Sequence, residues 1–185
     1  MQEHATAPLA ERFLDPILFG RGMAVLRIFL GLVLFANGLA KLLERTRIEA
    51  GWYRGNLVGR QGARNILDFE VNRRDDQGTS VPGLKRLVND LILPNWDIFQ
   101  WVVTFLELGV GAFLILGLAS RLAALGGLVQ MLFLAAVYFS SNRWMFEQPH
   151  EYVPLIILSL VPAGRVWGFD EAIVQRFQGL SRWPF

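Results

Sequence analysis

Residues 101–119 read WVVTFLELGVGAFLILGLA, an apolar stretch with a single acid, Glu107, near its middle. A helix rises about 1.5 Å per residue, so about 20 apolar residues cross the hydrocarbon of a bilayer. An ionised carboxylate at that depth costs roughly 2.5–3.5 kcal/mol. We therefore expect a membrane-spanning helix here, in which Glu107 faces protein and has a polar partner.

The overall composition also indicates a membrane protein, because 53% of the 185 residues are hydrophobic and the mean hydropathy is +0.36. The net charge of only +2 gives no reason to expect nucleic acid binding. With no cysteine and only His4 and His150, disulfides, thiolate metal sites, iron–sulfur clusters and a haem held by two intramembrane histidines cannot be built within this chain. No metal site is predicted, and any electron carrier must be a bound small molecule or belong to a partner.

The apolar segments predict an all-α, integral membrane four-helix bundle that forms a single domain over residues 1–185. The spanning helices are expected at 22–43, 98–119, 122–140 and 152–167. A long, partly helical loop, residues 44–96, separates the first two spans, with Leu84, Leu87, Val88 and Leu91 at helical spacing. A C-terminal amphipathic helix is expected at 170–180, with Asp170 as its N-cap. Four spans place both termini on one side of the membrane.

Polar and small residues follow one face of each of the first two spans. At 100° per residue, the face of the first span comprises Arg27, Gly31, Leu34, Gly38 and Lys41, with Asn37 beside it. The seam of the second comprises Gln100, Thr104, Glu107, Gly111, Leu114 and Arg121. Small residues let helices approach closely, so both faces are expected to contact protein. We expect Lys41 to extend to the membrane interface, whereas Arg27 fits an interfacial or a buried role equally well. Arg121, in a tight turn, is expected to bond helix-end carbonyls.

The chain resembles the DoxX family of small four-helix membrane proteins, and within it the DoxD-like branch, named for the small subunit of thiosulfate:quinone oxidoreductase. Three segments support the resemblance: RIFLGLVLFANGLAKL at 27–42, LPNWDIFQWVVTFLELGVGAFLILGLASRLAAL at 93–125 and AGRVWGFD at 163–170. The resemblance implies a bundle in the cytoplasmic (inner) membrane with both termini in the cytoplasm. The arginines of the long loop, counted by the positive-inside rule, point to the opposite orientation. We adopt the orientation that the resemblance implies.

The intramembrane polar residues allow two interpretations. In the first, a quinone or other lipid-like molecule binds between the helices beside Glu107, with Arg27, Asn37 and Gln130 at similar depth. In the second, Glu107 pairs with Arg27 or Lys41, or bonds Asn37, and only fixes the register of the bundle.

These interpretations predict an accessory or quinone-facing subunit of a membrane redox complex with no intrinsic cofactor. Enzymatic activity is expected only as the membrane subunit of a quinone-linked oxidoreductase, and other subunits of such a complex are the expected partners. The alternatives are a non-catalytic structural subunit of a larger membrane assembly and, third, a carrier of a small solute or lipid.

Overall fold

A computed structural model describes residues 15–73, 79–139, 149–177 and 183–185. The elements in chain order are α1 Pro16–Leu43, β1 Arg47–Ala50, β2 Tyr53–Asn56, α2 Arg60–Val71, α3 Leu84–Arg86, a π-helical segment Leu87–Ile92, α4 Trp96–Leu116, α5 Ser120–Val137, α6 Pro149–Leu160, a 3₁₀ turn Ala163–Arg165 and α7 Phe169–Arg176. The predominance of helix confirms the predicted class. His4, residue 140 of the third predicted span and residues 178–180 of the predicted C-terminal helix lie outside the described residues.

Three helices of the described residues, α1, α4 and α5, are long and apolar enough to cross a membrane. They correspond to the first three predicted spans. Asp15 caps the start of α1 by accepting a hydrogen bond from Ile17 N at 2.9 Å, and Pro16 occupies the first turn, where its missing N–H costs nothing. The helix therefore begins before residue 22, where the first span is predicted to start.

The predicted fourth span, 152–167, is represented by the shorter helix α6. Its 12 residues extend about 18 Å, less than the roughly 30 Å of bilayer hydrocarbon. The helix ends before Pro162 instead of continuing through it with a kink, because proline lacks an N–H donor and disfavours helical backbone in the residue before it. A four-helix bundle thus stays a prediction.

Among the described helices, α1 and α4 have the most extensive contact, and they pack antiparallel through glycines. A Cβ atom on Gly111 would lie 2.5 Å from Phe35 N, and one on Gly38 would lie 2.7 Å from Leu108 N. Only glycine fits at both positions. All five residues of the predicted α1 face are buried, which confirms that this face contacts protein.

The bundle has two ends, each with its own hydrophobic packing. At the turn end, where residues 117–119 connect α4 to α5, the core of Leu114, Ala124, Leu155 and Leu158 joins three helices. At the loop end, where α1 ends and α4 begins, residues of α2 and the π-helical segment pack on the first turn of α4 and the last turn of α5. The long loop therefore covers one mouth of the bundle.

The π-helical segment changes which residues of the loop face inward. Leu84, Val88 and Ile92 are buried, whereas Leu87 and Leu91 are 42% and 48% exposed. The predicted set assumed an α-helical period of 3.6 residues; the wider π-helical turn places residues four apart on the inner face.

A β-hairpin that the sequence did not predict follows α1. Strands β1 and β2 pair antiparallel from Arg47 opposite Asn56 to Ala50 opposite Tyr53. The loop is attached to the bundle just beyond the hairpin: Arg60 forms an ion pair with Glu44, and its guanidinium lies 4.3 Å from the ring centroid of Trp101.

Candidate functional site

Three polar side chains from α1, α4 and α5 meet inside the membrane-spanning part of the protein. Lys41 Nζ donates to Glu107 Oε2 at 2.7 Å, and Gln130 Nε2 donates to Glu107 Oε1 at 2.9 Å. All three residues are buried, with at most 8% of each exposed. We call Lys41, Glu107 and Gln130 the intramembrane triad.

The helix packing explains why the triad forms. Glu107 lies about 16 Å along α4 from its first residue, too deep for its carboxylate to reach water. A Cβ atom on Gly38 would lie 3.1 Å from Glu107 Cβ, so the absence of a side chain there lets α1 approach the acid. Lys41 is one turn further along the same face, and its side chain points inward rather than to the interface. It does so because the carboxylate of Glu107 provides a counter-charge for its ammonium group. The expectation of an interfacial Lys41 is therefore wrong.

The triad retains hydrogen-bonding capacity that its own contacts do not use. Gln130 Oε1 is buried and accepts no hydrogen bond within the described part of the chain. An ammonium has three N–H donors, and Lys41 directs one to Glu107. A buried acceptor and unused donors at one place suit a ligand that carries both a carbonyl and a hydroxyl group.

Arg27 lies in a second polar cluster, at the turn end, and does not contact Glu107. Its guanidinium donates to Leu114 O, to Ile115 O at 3.1 Å, to Val166 O at 3.3 Å and to Trp167 O at 3.1 Å. The last carbonyls of a helix have no partner within it, so Arg27 satisfies the end of α4. Arg27 is fully buried.

Asp170 completes this second cluster from α7. It accepts hydrogen bonds from Ala119 N at 2.6 Å, Ser120 N at 3.0 Å and Ser120 Oγ at 2.7 Å. These are donors that the start of α5 leaves open, so Asp170 caps α5. The prediction that it is the N-cap of its own helix is wrong, since α7 begins after Gly168. We call Arg27, Ser120 and Asp170 the capping cluster.

The remaining predicted residues lie outside both clusters. Asn37 is half-buried and donates to Val33 O of its own helix at 3.0 Å. Arg121 Nε donates to Ser159 O at 3.1 Å, a carbonyl at the end of α6, which is the kind of partner predicted for it. Of the four predicted binding residues, the structure thus brings together Glu107 and Gln130, adds Lys41, and places Arg27 and Asn37 elsewhere.

Lys41 was named among the possible partners of Glu107, whereas Ser120 was missed. Lys41 follows Gly38 by one turn on a face that was identified correctly. Ser120 directly follows a turn and is the first residue of a helix whose N-cap is Ala119. Its partner, 50 residues later, could not be inferred from local spacing.

Long apolar helices that bury an ion pair between them define the chain as a multi-pass integral membrane protein. The family model of DoxX matches residues 22–140, and the chain belongs to the DoxX family. No solved structure matches it.

Proposed function

We propose that this protein is an accessory, quinone-facing membrane subunit of a redox complex, and that the intramembrane triad binds the head group of a quinone or quinol. The observation that supports the proposal most directly is the buried pair of Lys41 and Glu107 beside the unused acceptor of Gln130. The resemblance to the DoxD-like branch is consistent with it.

The energetics favour a ligand over a purely structural role. Replacing a buried ion pair as a unit by apolar or neutral residues is often neutral or stabilising, so the charges are not needed to hold the helices together. Ionisable residues inside a membrane are costly and commonly mark sites of binding or proton transfer. The triad fits this pattern because both charges are within one hydrogen bond of each other and of a free acceptor.

A quinone would supply the redox chemistry when bound, with electrons from a partner subunit. The residues of this chain would hold the head group, Lys41 by donating to a carbonyl oxygen and Gln130 by accepting from a hydroxyl. Reduction of a quinone takes up two protons with two electrons, and Glu107 would pass protons to the head group.

We also propose that the protein lies in the inner membrane with both termini in the cytoplasm. A Cβ atom on Gly20, near the start of α1, would lie 3.0 Å from Val166, shortly before α7, so the two terminal regions share the turn end. Reporter fusions that are active only in the cytoplasm or only outside it would test the orientation; activity of an outside reporter at either terminus would contradict it.

A second candidate function is a non-catalytic structural subunit of a larger membrane assembly. Both carboxylate oxygens of Glu107 already have a partner within the triad. This is expected if the triad only fixes the register of the three helices. In that case the triad would bind no ligand.

The test is a titration of the purified full chain with decylubiquinone and its quinol in mild detergent. We expect about one molecule per chain, and at least roughly tenfold weaker binding by the Lys41→Met/Glu107→Gln double variant. Asn37→Leu is the matched control, because it removes a polar side chain of α1 that lies outside the triad, and it should bind like wild type. Equal binding by the double variant, or none by wild type, would overturn the quinone site and favour the structural role.

Partner subunits need a separate experiment. The protein purified from its native membrane should bring with it a protein that carries a redox cofactor, identified by mass spectrometry and its absorption spectrum. Recovery of an assembly without any redox cofactor would contradict the redox role.

A further inference from the structure

A cleft at the loop end lies between the last turns of α1 and the β-hairpin. Its volume is about 370 Å³, within the usual range for small-molecule sites. One wall is apolar and formed by α1, and the other carries charged residues of the segment that follows. The lining residues used below are Ala36, Leu39, Leu43, Arg45, Arg47 and Glu49.

The charges of α1 indicate where this cleft lies in the bilayer. Arg21 and Arg45 are both exposed and are separated by 24 positions, which corresponds to about 36 Å of helix, somewhat more than the roughly 30 Å of bilayer hydrocarbon. Arg45 therefore lies at the level of the lipid head groups. Ala36 lies nine positions earlier, roughly 13 Å deeper along the helix, among the acyl chains. The cleft thus runs from the head groups into the hydrocarbon.

The charges at its outer rim are mainly positive. Arg45 forms no ion pair with any residue that the structure describes. Arg47 is exposed and lies 3.9 Å from Glu49, a loose contact that leaves guanidinium donors available. Arg54 stands opposite Glu49 in the hairpin but does not line the cleft. A rim of two arginines and one acid carries a net positive charge and is complementary to a phosphate, which guanidinium groups bind with two parallel hydrogen bonds.

We propose that this cleft binds one anionic phospholipid, with its phosphate at Arg45 and Arg47 and part of one acyl chain along Ala36, Leu39 and Leu43. The apolar wall formed by α1 lies at the depth of the acyl chains, and the arginines of the rim lie at the depth of the phosphate. The cleft therefore matches both parts of such a lipid. This site is distinct from the intramembrane triad and does not depend on the proposed redox function.

The test is native mass spectrometry of the full chain in detergent, titrated with phosphatidylglycerol or phosphatidylcholine of identical acyl chains. Wild type should retain one phosphatidylglycerol at concentrations where phosphatidylcholine is lost. The Arg45→Gln/Arg47→Gln double variant should bind phosphatidylglycerol roughly 30-fold more weakly, since each arginine near a membrane surface contributes about fivefold. Arg64→Gln/Arg86→Gln removes the same charge from exposed positions of the loop and should bind like wild type.

A third variant tests the apolar wall formed by α1. Because it leaves the hairpin unchanged, it also distinguishes loss of the lipid site from misfolding of the hairpin. Ala36→Phe fills the deep part of the cleft without changing charge, and it should also lose the bound lipid while Arg64→Gln/Arg86→Gln keeps it. Equal retention of both lipids by wild type would overturn the proposal. Equal weakening by the two double variants would do the same, because it would show a general charge effect rather than a site.

Discussion

The two buried polar clusters use their charges differently. In the capping cluster, Arg27 and Asp170 bond mainly to backbone carbonyls and amides at the ends of α4 and α5. In the intramembrane triad, Lys41 and Glu107 bond to side chains only. Among the described residues, each cluster has one buried polar atom without a hydrogen bond: the acceptor Gln130 Oε1 in the triad and the donor Arg27 Nε in the capping cluster. A charge bonded to the backbone cannot be removed without leaving helix ends unsatisfied, whereas a side-chain pair can be replaced as a unit.

This difference separates a group of residues that the fold requires from one that is available for a ligand. The positions of the two clusters along the helices support the same distinction between structural and ligand-binding residues. The capping cluster lies at the turn end, where the chain reverses, while the triad lies between continuous helices that would pack without it. Four variants, taken from the largest expected effect to the smallest, test the comparison.

Arg27→Met should cause the largest loss of stability. Methionine keeps most of the apolar stem but leaves four carbonyl groups without their donor and Asp170 without a nearby cation. Hydrogen bonds to charged groups contribute roughly 1.5–3 kcal/mol each, so we expect a loss of at least about 4 kcal/mol. The free energy of unfolding can be measured in bicelles by steric trapping. Arg21→Met, at an exposed position of the same helix, is the control, and an equal effect of both changes would contradict a capping role.

Glu107→Gln should destabilise the protein by about 2–3 kcal/mol, because it leaves the Lys41 ammonium buried without a counter-charge. The loss is smaller than for Arg27 since Lys41 lies near the end of α1 and can extend to the interface. Adding Lys41→Met should restore stability to within about 1 kcal/mol of wild type. If the double variant is less stable than Glu107→Gln alone, the triad is a structural requirement and the comparison fails.

Gly38→Ala should cost about 1–2 kcal/mol, because its new methyl group would lie 2.7 Å from Leu108 N and force α1 away from α4. Quinone binding should fall with it, as Lys41 moves away from Glu107. Gly109→Ala, which meets nothing within 4 Å, is the matched control and should leave the thermal unfolding midpoint in detergent unchanged or higher. An unaltered midpoint for Gly38→Ala would rule out the close contact.

Gln130→Leu should have the smallest effect on stability, under about 1 kcal/mol, since it removes one intramembrane hydrogen bond together with the unused acceptor. Its effect on quinol binding should be larger than on quinone binding, because only the quinol donates a hydrogen bond. Parallel titrations with the two forms measure this ratio, and equal weakening of both would argue against a hydroxyl at Gln130 Oε1.

The helix faces could be predicted from sequence because lipid imposes a simple rule. Glycine, arginine and lysine at a spacing of three or four residues cannot all face hydrocarbon, and the buried faces of α1 and α4 follow that rule. The choice among partners could not be made in the same way. Arg27, Lys41 and Asn37 were all considered as partners of Glu107, and Lys41 was expected at the interface because its position near the helix end allows either direction. The direction is decided by Gly38, which brings Glu107 within reach.

Outside the membrane the sequence was less informative. The hairpin strands RIEA and YRGN are four residues long, and only the backbone conformation of Gly51, with φ of 60°, makes the reversal between them easy. The π-helical segment altered the inward face, a change that a 3.6-residue period cannot represent. Asp170 was correctly identified as a capping residue but assigned to the nearest helix start, since capping partners far along the chain leave no local signal.

The position of Asp170 in the chain has a consequence for biosynthesis. The ribosome makes Ala119 and Ser120 about 50 residues before Asp170, so the turn between α4 and α5 must enter the membrane with its amides still open. The carbonyls of Val166 and Trp167, which Arg27 binds, also become available only at this late stage. Closure of the turn end therefore follows synthesis of every membrane helix. A chain that stalls before α7 would contain all its apolar segments and still lack the hydrogen bonds of Asp170 that close the turn end.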